Sequence, residues 1–432
     1  MAMVVKNNMS ALSTLNTLNK NTSALSKSLQ KVSSGMKINS AADDASGYAI
    51  SERMRVQIRS LDQANSNAQN GGSMMKVAEG AVSSTVEILK TLKEKAVNAA
   101  NDTNTDADRA TIQKEMDQSI DQINDNANVT FNGQYLVDGS KNKKVNQTTT
   151  AMTNQSLSTS TASDQALTAL KARNGDDLNI HSTDTVTVSY VKNGETFTKS
   201  TEVGSKNLGQ VISSLTGGAV TVRSASSEIG KDASLNTVNT ASGENAITIA
   251  SNGSGIDGQV AGFTIYITDN KGNVNKSANA ALDAFDETIR AQNASEDNSI
   301  VMQVGTKAGQ SIKVGLSDMK AHALGLQGTN GETLSIGNQE KANAAINVLD
   351  AAIQKALDQQ TTIGAVESRL EYTQSNLTTA SENVTAAEST IRDADMAKEM
   401  MEYTKNNVLM QAAQSMLAQA NQSSSNALSL LQ

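Results

Sequence analysis

Three groups of residues have types and spacings that chemistry would use. Gly253, Gly255 and Gly258 match G-x-G-x-x-G, whose glycines let a backbone approach a pyrophosphate at a helix N-terminus. That chemistry needs a helix after the glycines, whereas Gln259 to Thr268 has the pattern of a strand. The glycines therefore read as a hairpin loop. Asp43 with Asp44, and Asp393 with Asp395, are carboxylate pairs of the kind general acid–base catalysis employs. Charge at helix termini accounts for them without any pocket. Met396, Met400, Met401, Met410 and Met416 form no chelating cluster and suit adaptable packing at an assembly surface. The two histidines, His181 and His322, are far apart, and cysteine is absent. No catalytic residue, cofactor or metal is expected.

The elements that hold these residues fall into three zones. Residues 1 to about 138 and about 338 to 432 are helical in pattern; between them lies a Ser-, Thr-, Gly- and Asn-rich stretch with short alternating runs. A chain of 432 residues has room for two to four domains. It contains no proline, where average usage of about 5% would give roughly twenty. Long helices are thereby spared the kinking ring, and folding is spared slow X–Pro isomerisation. The net charge of −8 argues against nucleic acid, whose binders carry a basic footprint. The first residues, MAMVVKNNMSALSTLN, lack the pattern of a cleaved signal peptide. No stretch has the roughly 18 apolar residues of a membrane span. The expectation is a protein that is cytoplasmic or exported without a cleaved leader, with no membrane partner.

In the first helix Leu15, Leu18, Leu25, Leu29, Val32 and Met36 recur at the 3–4 spacing of a coiled-coil seam. Gly35 is its expected stop, and Ser40 with Asp43 reads as a capping box for the next helix. That helix repeats every seven residues through Met54, Leu61, Ala68, Met75, Val82, Leu89 and Ala96. Gly71-Gly72 mark either close packing or a break, at a cost of about 1 kcal/mol each relative to Ala. A shorter helix from about Asp106 to Asn126 turns Ile112, Met116, Ile120 and Ile123 inward. Toward the C-terminus Leu349, Ala356, Ile363, Leu370, Leu377, Val384 and Ile391 keep the same period, over about 63 Å of helix at 1.5 Å per residue. The matching N-terminal repeat is its natural partner.

The last 27 residues, Asn406 to Gln432, carry no charge, while Leu409, Ala413, Met416, Leu417, Ala420 and Leu430 sustain an apolar stripe. Among the first 42 residues the only charged side chains are five lysines, Lys6, Lys20, Lys27, Lys31 and Lys37. Such surfaces fit burial against further copies, where an unpaired charge is costly. In the middle zone Val186, Val188 and Tyr190 alternate before Asn193-Gly194, the strongest hairpin signal in the chain. Ile247 with Ile249, and Phe263 with Ile265 and Ile267, mark further strands of one compact domain or two.

These residues carry a resemblance. SSGMKINSAADDASGYAIS (Ser33 to Ser51), TFNGQYLVDGS (Thr130 to Ser140) and the long run AVESRLEYTQSNLTTASENVTAAESTIRDADMAKEMMEYTKNNVLMQAAQSMLAQAN (Ala365 to Asn421) closely resemble bacterial flagellins. The likeness covers about 1–140 and 338–432. It implies a mainly α fold, with long paired N- and C-terminal coiled-coil helices forming a rod and a β-rich inserted outer domain. In segments, 1–44 and 391–432 are the inner core helices, 45–138 and 338–390 the rod helices, and 139–337 the outer insertion. It implies self-assembly into an extracellular filament for motility, terminal helices that order only on assembly, and export by the flagellar type III apparatus with a chaperone on the C-terminal helix. Hook-associated and cap proteins would be further partners. One departure is Gln422-Ser423-Ser424-Ser425, where many members have Gln-Gln-Pro-Gln.

The family resemblance also points to a host innate immune receptor. Strongly stimulatory members resemble Leu-Gln-Arg-Val-Arg-Glu-Leu-Ala-Val where this chain has Leu89, Lys90, Thr91, Leu92, Lys93, Glu94, Lys95, Ala96 and Val97. Glu94 and Glu115 are retained, but Thr91 stands for an arginine and Lys95 for a leucine, so weakened recognition is expected. The alternatives are a hook–filament junction protein and, from another class, a family member with a hydrolase insertion. The latter needs an H-E-x-x-H zinc motif, and the chain has none.

Overall fold

The computed structural model describes residues 8–429. Long helices lie toward both ends: α1 (Met9–Ser34), α2 (Ala45–Ala99) and α3 (Asp106–Ala127) before the β-rich middle, α6 (Gln339–Arg392) and α7 (Met396–Ser429) after it. Two short helices, α4 (Leu208–Thr216) and α5 (Lys276–Leu282), lie in the middle. The chain divides into two compact units. One comprises residues up to Ala68, Gln303–Gln310 and the chain from Tyr372 onward; the other comprises Gln69–Met302 and Ser311–Glu371.

Local chemistry sets the helix ends. Asn8 caps α1 by accepting from the Ala11 N–H at 3.0 Å. Gly35 stops it in the left-handed region at φ 70°, its N–H donating to the Lys31 carbonyl, as its lack of a Cβ allows. Ser40 and Asp43 do not cap α2. Asp43 closes a turn by accepting from the Asn39 and Ser40 N–H groups, and Asp44 is the cap, accepting from Ser46 and Gly47 at 3.0 Å. An Asp accepts N–H bonds wherever the chain presents them, and Asp44 is the one beside the first helical residue.

In the second unit the heptad seams close. Met75, Val82 and Leu89 of α2 and Leu349, Ala356 and Ile363 of α6 are fully buried, and Leu370 nearly so. Lys93 pairs with Asp350 across the two helices. Gly71 resolves as close packing within an unbroken helix: a Cβ there would collide with the Met302 sulfur and lie 3.6 Å from Leu370. Gly72 has open space. Met116, Ile120 and Ile123 of α3 are buried as expected, while Ile112 is half-buried. Truncating one such seam residue to Ala costs about 2–5 kcal/mol. In the first unit Leu61 is buried, Leu377 is nearly so, and Met54, Val384 and Ile391 are half-buried.

The middle zone begins after a small hairpin of β1 (Thr130–Phe131) and β2 (Gln134–Tyr135). Next come β3 (Ala151–Asn154), β4 (Thr185–Lys192), β5 (Glu195–Glu202), β6 (Val220–Ser226), β7 (Glu228–Lys231), β8 (Thr237–Asn239), β9 (Ala246–Ser251), β10 (Val260–Thr268) and β11 (Phe285–Ile289). Two antiparallel sheets, ordered β10-β4-β5 and β11-β3-β9-β6, share one core. Val188, Phe263 and Ile265 join Ile247 and Ile249 in it, with Val211 and Ile212 of α4, so the two sheets are parts of one packed body. Lys192 pairs with Glu195 across Asn193 (φ 51°) and Gly194 (φ 78°), the expected two-residue hairpin turn. The glycine-rich segment is a loop but not a hairpin loop, because β9 and β10 belong to different sheets. Gly253 and Gly258 serve close approach instead: a Cβ on Gly258 would collide with the Gly253 backbone.

The two-sheet part of the insertion packs on α6: Tyr266 donates to the Glu340 carboxylate at 3.0 Å, Arg290 pairs with Asp358 at 2.9 Å, and a Cβ on Gly262 would lie 2.5 Å from the Ala344 carbonyl oxygen. Val145 and Ser295 exchange backbone hydrogen bonds at 3.0 and 2.9 Å and form a neck. Beyond it, residues 316–336 run along the helices. Gln113 of α3 bonds the backbone of Leu334 and Ile336, Asn124 bonds the Ala321 N–H, and Lys355 of α6 donates to the Ala323 carbonyl at 2.6 Å. Leu316, Met319, Leu326, Leu334 and Ile336 are buried there.

Candidate assembly surface

α1 and α7 pack along their length in the first unit. Their seam consists of Leu18, Leu25 and Val32 (all half-buried) and Ser28 (buried) on α1, against Ala413 (buried) and the half-buried Leu417 and Ala420 on α7. Polar residues fix the register. Asn21 donates to the Leu409 carbonyl at 3.2 Å, Asn406 to the Ser28 hydroxyl at 3.0 Å, and Asn8 to the Ala420 carbonyl at 3.3 Å. Lys31 and Glu399 pair at 3.5 Å. The stripe of each terminal helix thus has a partial mate within the chain.

The remaining apolar residues flank this seam. Leu15 is 41% and Leu29 51% exposed; on α7 Leu409 is 43%, Met416 63% and Met401 66% exposed. Leu12, Met396, Met400 and Val408 are exposed as well. Leu15, Leu29, Leu409 and Met416 are therefore outside the intrachain seam, and the reason is geometric. The stripes are wider than a two-helix seam, and one partner covers only part of each. Leu430 lies outside the described residues.

The pair is tied to α2 and α6 by residues the heptad pattern does not reveal. Arg392, buried at the end of α6, donates to the Glu52 carboxylate at 2.6 Å and lies 5.5 Å from the Tyr48 ring centroid. Its carbonyl accepts from the Lys37 N–H, and Met36 bridges Asp393. The composition of the IRDAD run, a basic residue among acids at a helix end, is the only sequence signal for this contact. Arg392 holds the Glu52 carboxyl below its ordinary value of 4.5. A depressed acid pKa adds stability that is present above that ordinary value and lost as pH falls through the lower folded one. Acid unfolding of the α1–α7 pair is therefore expected to be less steep in Glu52→Gln than in the parent, measured by helical circular dichroism between pH 5 and 2 (a range of order set by the carboxylate titration). Superimposable pH profiles would remove this contact from the account.

The other candidates are local. Asp395 caps α7 through Ala397 and Lys398, and Asp393 accepts from the Ser389 hydroxyl at 2.6 Å. His181 lies 3.8 Å from Asp184, and His322 lies 3.5 Å from Asp257. Among the described residues no group of three or more metal-ligating side chains occurs. In the receptor-like segment Thr91 and Glu94 are exposed, but Leu89 is fully buried in the seam and presents nothing to a partner. Lys93 is engaged by Asp350, and Lys95 by Glu115 at 2.8 Å.

Comparison with known proteins agrees with this layout. The bacterial flagellin N-terminal helical region matches residues 5–142, and the bacterial flagellin C-terminal helical region matches 346–431. A flagellin of Clostridium tyrobutyricum is 37% identical over 424 residues, covering 97% of this chain and 99% of that one. A flagellin of Bacillus subtilis is 32% identical over 449 residues, covering 99% and 100%. Polar flagellin C of Vibrio parahaemolyticus is 31% identical over 442 residues, covering all of both chains. With both terminal helical regions matched and relatives similar from end to end, this chain belongs to the bacterial flagellin family.

Proposed function

We infer that this chain is a structural subunit of the bacterial flagellar filament, polymerising through the uncovered flank of its terminal helix pair. The observation that carries this reading is the set of apolar side chains, Leu15 and Leu29 on α1 and Val408, Leu409 and Met416 on α7, left exposed after α1 and α7 have covered each other. Apolar surface left exposed in quantity marks an interaction site. The subunit offers different surfaces to successive neighbours, and heterologous contacts whose rotation does not close give an open helical polymer. Electron microscopy of the purified protein tests this: long filaments are expected, whereas a junction protein alone would give none.

The finer partners follow from the same surface. Before assembly the flank needs cover, which suits a chaperone on α7 during flagellar type III export and an extracellular destination. Hook-associated and cap proteins would meet the same terminal helices at the filament ends.

The body beyond the neck is expected to be dispensable. Because Val145 and Ser295 are already bonded, replacing 146–294 with a two- or three-residue turn should still give filaments, although it uncovers the face of α6 at Ala344 and Val348 on which β10 packs and removes the Arg290–Asp358 pair. A deletion reaching 330 removes part of the strand of chain held by Gln113, Asn124 and Lys355, and should destabilise α3 and α6. If the shorter deletion gives a folded helical protein that does not polymerise, insertion contacts carry the lattice.

Recognition by a host receptor for flagellin should be weak, because Thr91 and Lys95 replace an arginine and a leucine at exposed or ion-paired positions. Planar guanidinium and apolar groups supply much of the energy at interfaces. In a reporter-cell titration a Thr91→Arg, Lys95→Leu monomer should be more potent than the parent by about tenfold, the equivalent of ~1.4 kcal/mol. Equal potency would sink this assignment.

A further inference from the structure

Methionine is distributed unevenly over the surface. Met75, Met116, Met152, Met302 and Met319 are buried, and Met36, Met54, Met74 and Met410 are half-buried. Among the described residues the exposed methionines are Met9 on α1 and Met396, Met400, Met401 and Met416 on α7. Among the described residues the solvent-facing thioethers are thus confined to the terminal helix pair. Met401 and Met416 lie on one flank of α7 with Val408 and Leu409, in two pairs spaced by seven residues.

We propose that these α7 methionines are an oxidation site that controls assembly: sulfoxidation of the free subunit blocks its addition to a filament. This rests on the terminal pair being the assembly surface. The oxidant is a two-electron oxygen donor such as hydrogen peroxide. The sulfur lone pair attacks one peroxide oxygen, the O–O bond breaks, sulfur is oxidised to the sulfoxide and the peroxide is reduced to water. The product replaces a flexible apolar side chain with a polar one. On a surface that must be buried against another copy, its S=O group loses water without a matching donor. Exposure governs susceptibility, so the free subunit reacts at these positions before its core methionines do. In the polymer the same sulfurs are covered, and the reaction separates unassembled from assembled subunits. No cysteine is present to react first.

The test begins with monomer and filament treated in parallel with hydrogen peroxide, followed by peptide mass mapping. Sulfoxide is expected at Met396, Met400, Met401 and Met416 of the monomer ahead of Met75, Met116 and Met152. The α7 sites of the filament should be protected. Seeded elongation, followed by light scattering, should fall at least tenfold for oxidised monomer and recover after treatment with methionine sulfoxide reductases. A Met396→Leu, Met400→Leu, Met401→Leu, Met416→Leu variant should elongate equally before and after peroxide. If these substitutions themselves slow elongation, the reductase rescue of the parent protein decides alone. Oxidised α7 with undiminished elongation, or lost elongation that the reductases do not restore, overturns the proposal. Undiminished elongation by a subunit lacking α7 from Asn406 onward would overturn the assembly surface itself.

Discussion

Removing Asn406–Gln432 is expected to leave a soluble monomer that no longer polymerises. The deletion takes away Ala413, Leu417 and Ala420, the α7 side of the seam, and Val408, Leu409 and Met416 of the flank. It also removes the partners of Ser28 and Asn21. α1 then faces water along Leu18, Leu25 and Val32, and an isolated helix with an uncovered stripe is marginal. The second unit keeps its own buried seam, so α3, the body beyond the neck and the adjoining parts of α2 and α6 should remain folded. Sedimentation should show monomer at concentrations where the full chain forms filaments. Circular dichroism should show a loss of helix confined to the two ends. Normal filaments from the truncated chain would remove α7 from the assembly surface.

Single charges placed on the two sides of α7 should separate folding from assembly. Leu417 is half-buried in the intrachain seam, whereas Leu409 is exposed beside it. Leu417→Asp puts a carboxylate against α1 and is expected to loosen the pair within one subunit. Leu409→Asp leaves that pair intact and is felt only when another copy arrives. A carboxylate desolvated without a partner costs several kcal/mol, which at about 1.4 kcal/mol per tenfold is a hundredfold or more in subunit affinity. Both variants should abolish swimming, but only Leu417→Asp should lower the thermal stability of the terminal helices. Wild-type filament yield from Leu409→Asp would show that the flank stays in water.

The contrast between these two leucines marks the limit of what the sequence makes legible. The seven-residue rows identify the helices and their buried side, and Leu89, Leu349 and Ile363 are fully buried where the period places them. The hairpin at Asn193-Gly194 is equally plain, because two residues with positive φ demand that turn. Periodicity does not say how wide a stripe one partner will cover. Leu15 and Leu18 belong to the same spacing, yet only Leu18 turns into the seam. Nor does it foresee contacts made by irregular chain. Residues 316–336 have no repeat, and their bonds to Gln113, Asn124 and Lys355 depend on side chains distant in sequence. Leu89 shows a related failure: a residue can match a partner's expected contact and still be consumed by the protein's own core. Two adjacent aspartates likewise hide which one caps α2, since either supplies the needed acceptor.

The central claim is that the exposed flank of the terminal pair becomes buried between copies. The chain has no cysteine, so single substitutions give clean reporters. Leu409→Cys, Met416→Cys and, as a control on the body beyond the neck, Leu235→Cys would each be treated with a small maleimide as monomer and as filament. Leu235 is 60% exposed and should label at similar rates in both states. At 409 and 416 the account predicts rapid labelling of the monomer and a drop of about a hundredfold or more in the filament, as expected for a thiol that reacts only on exposure. Equal labelling of monomer and filament at both flank positions would contradict it.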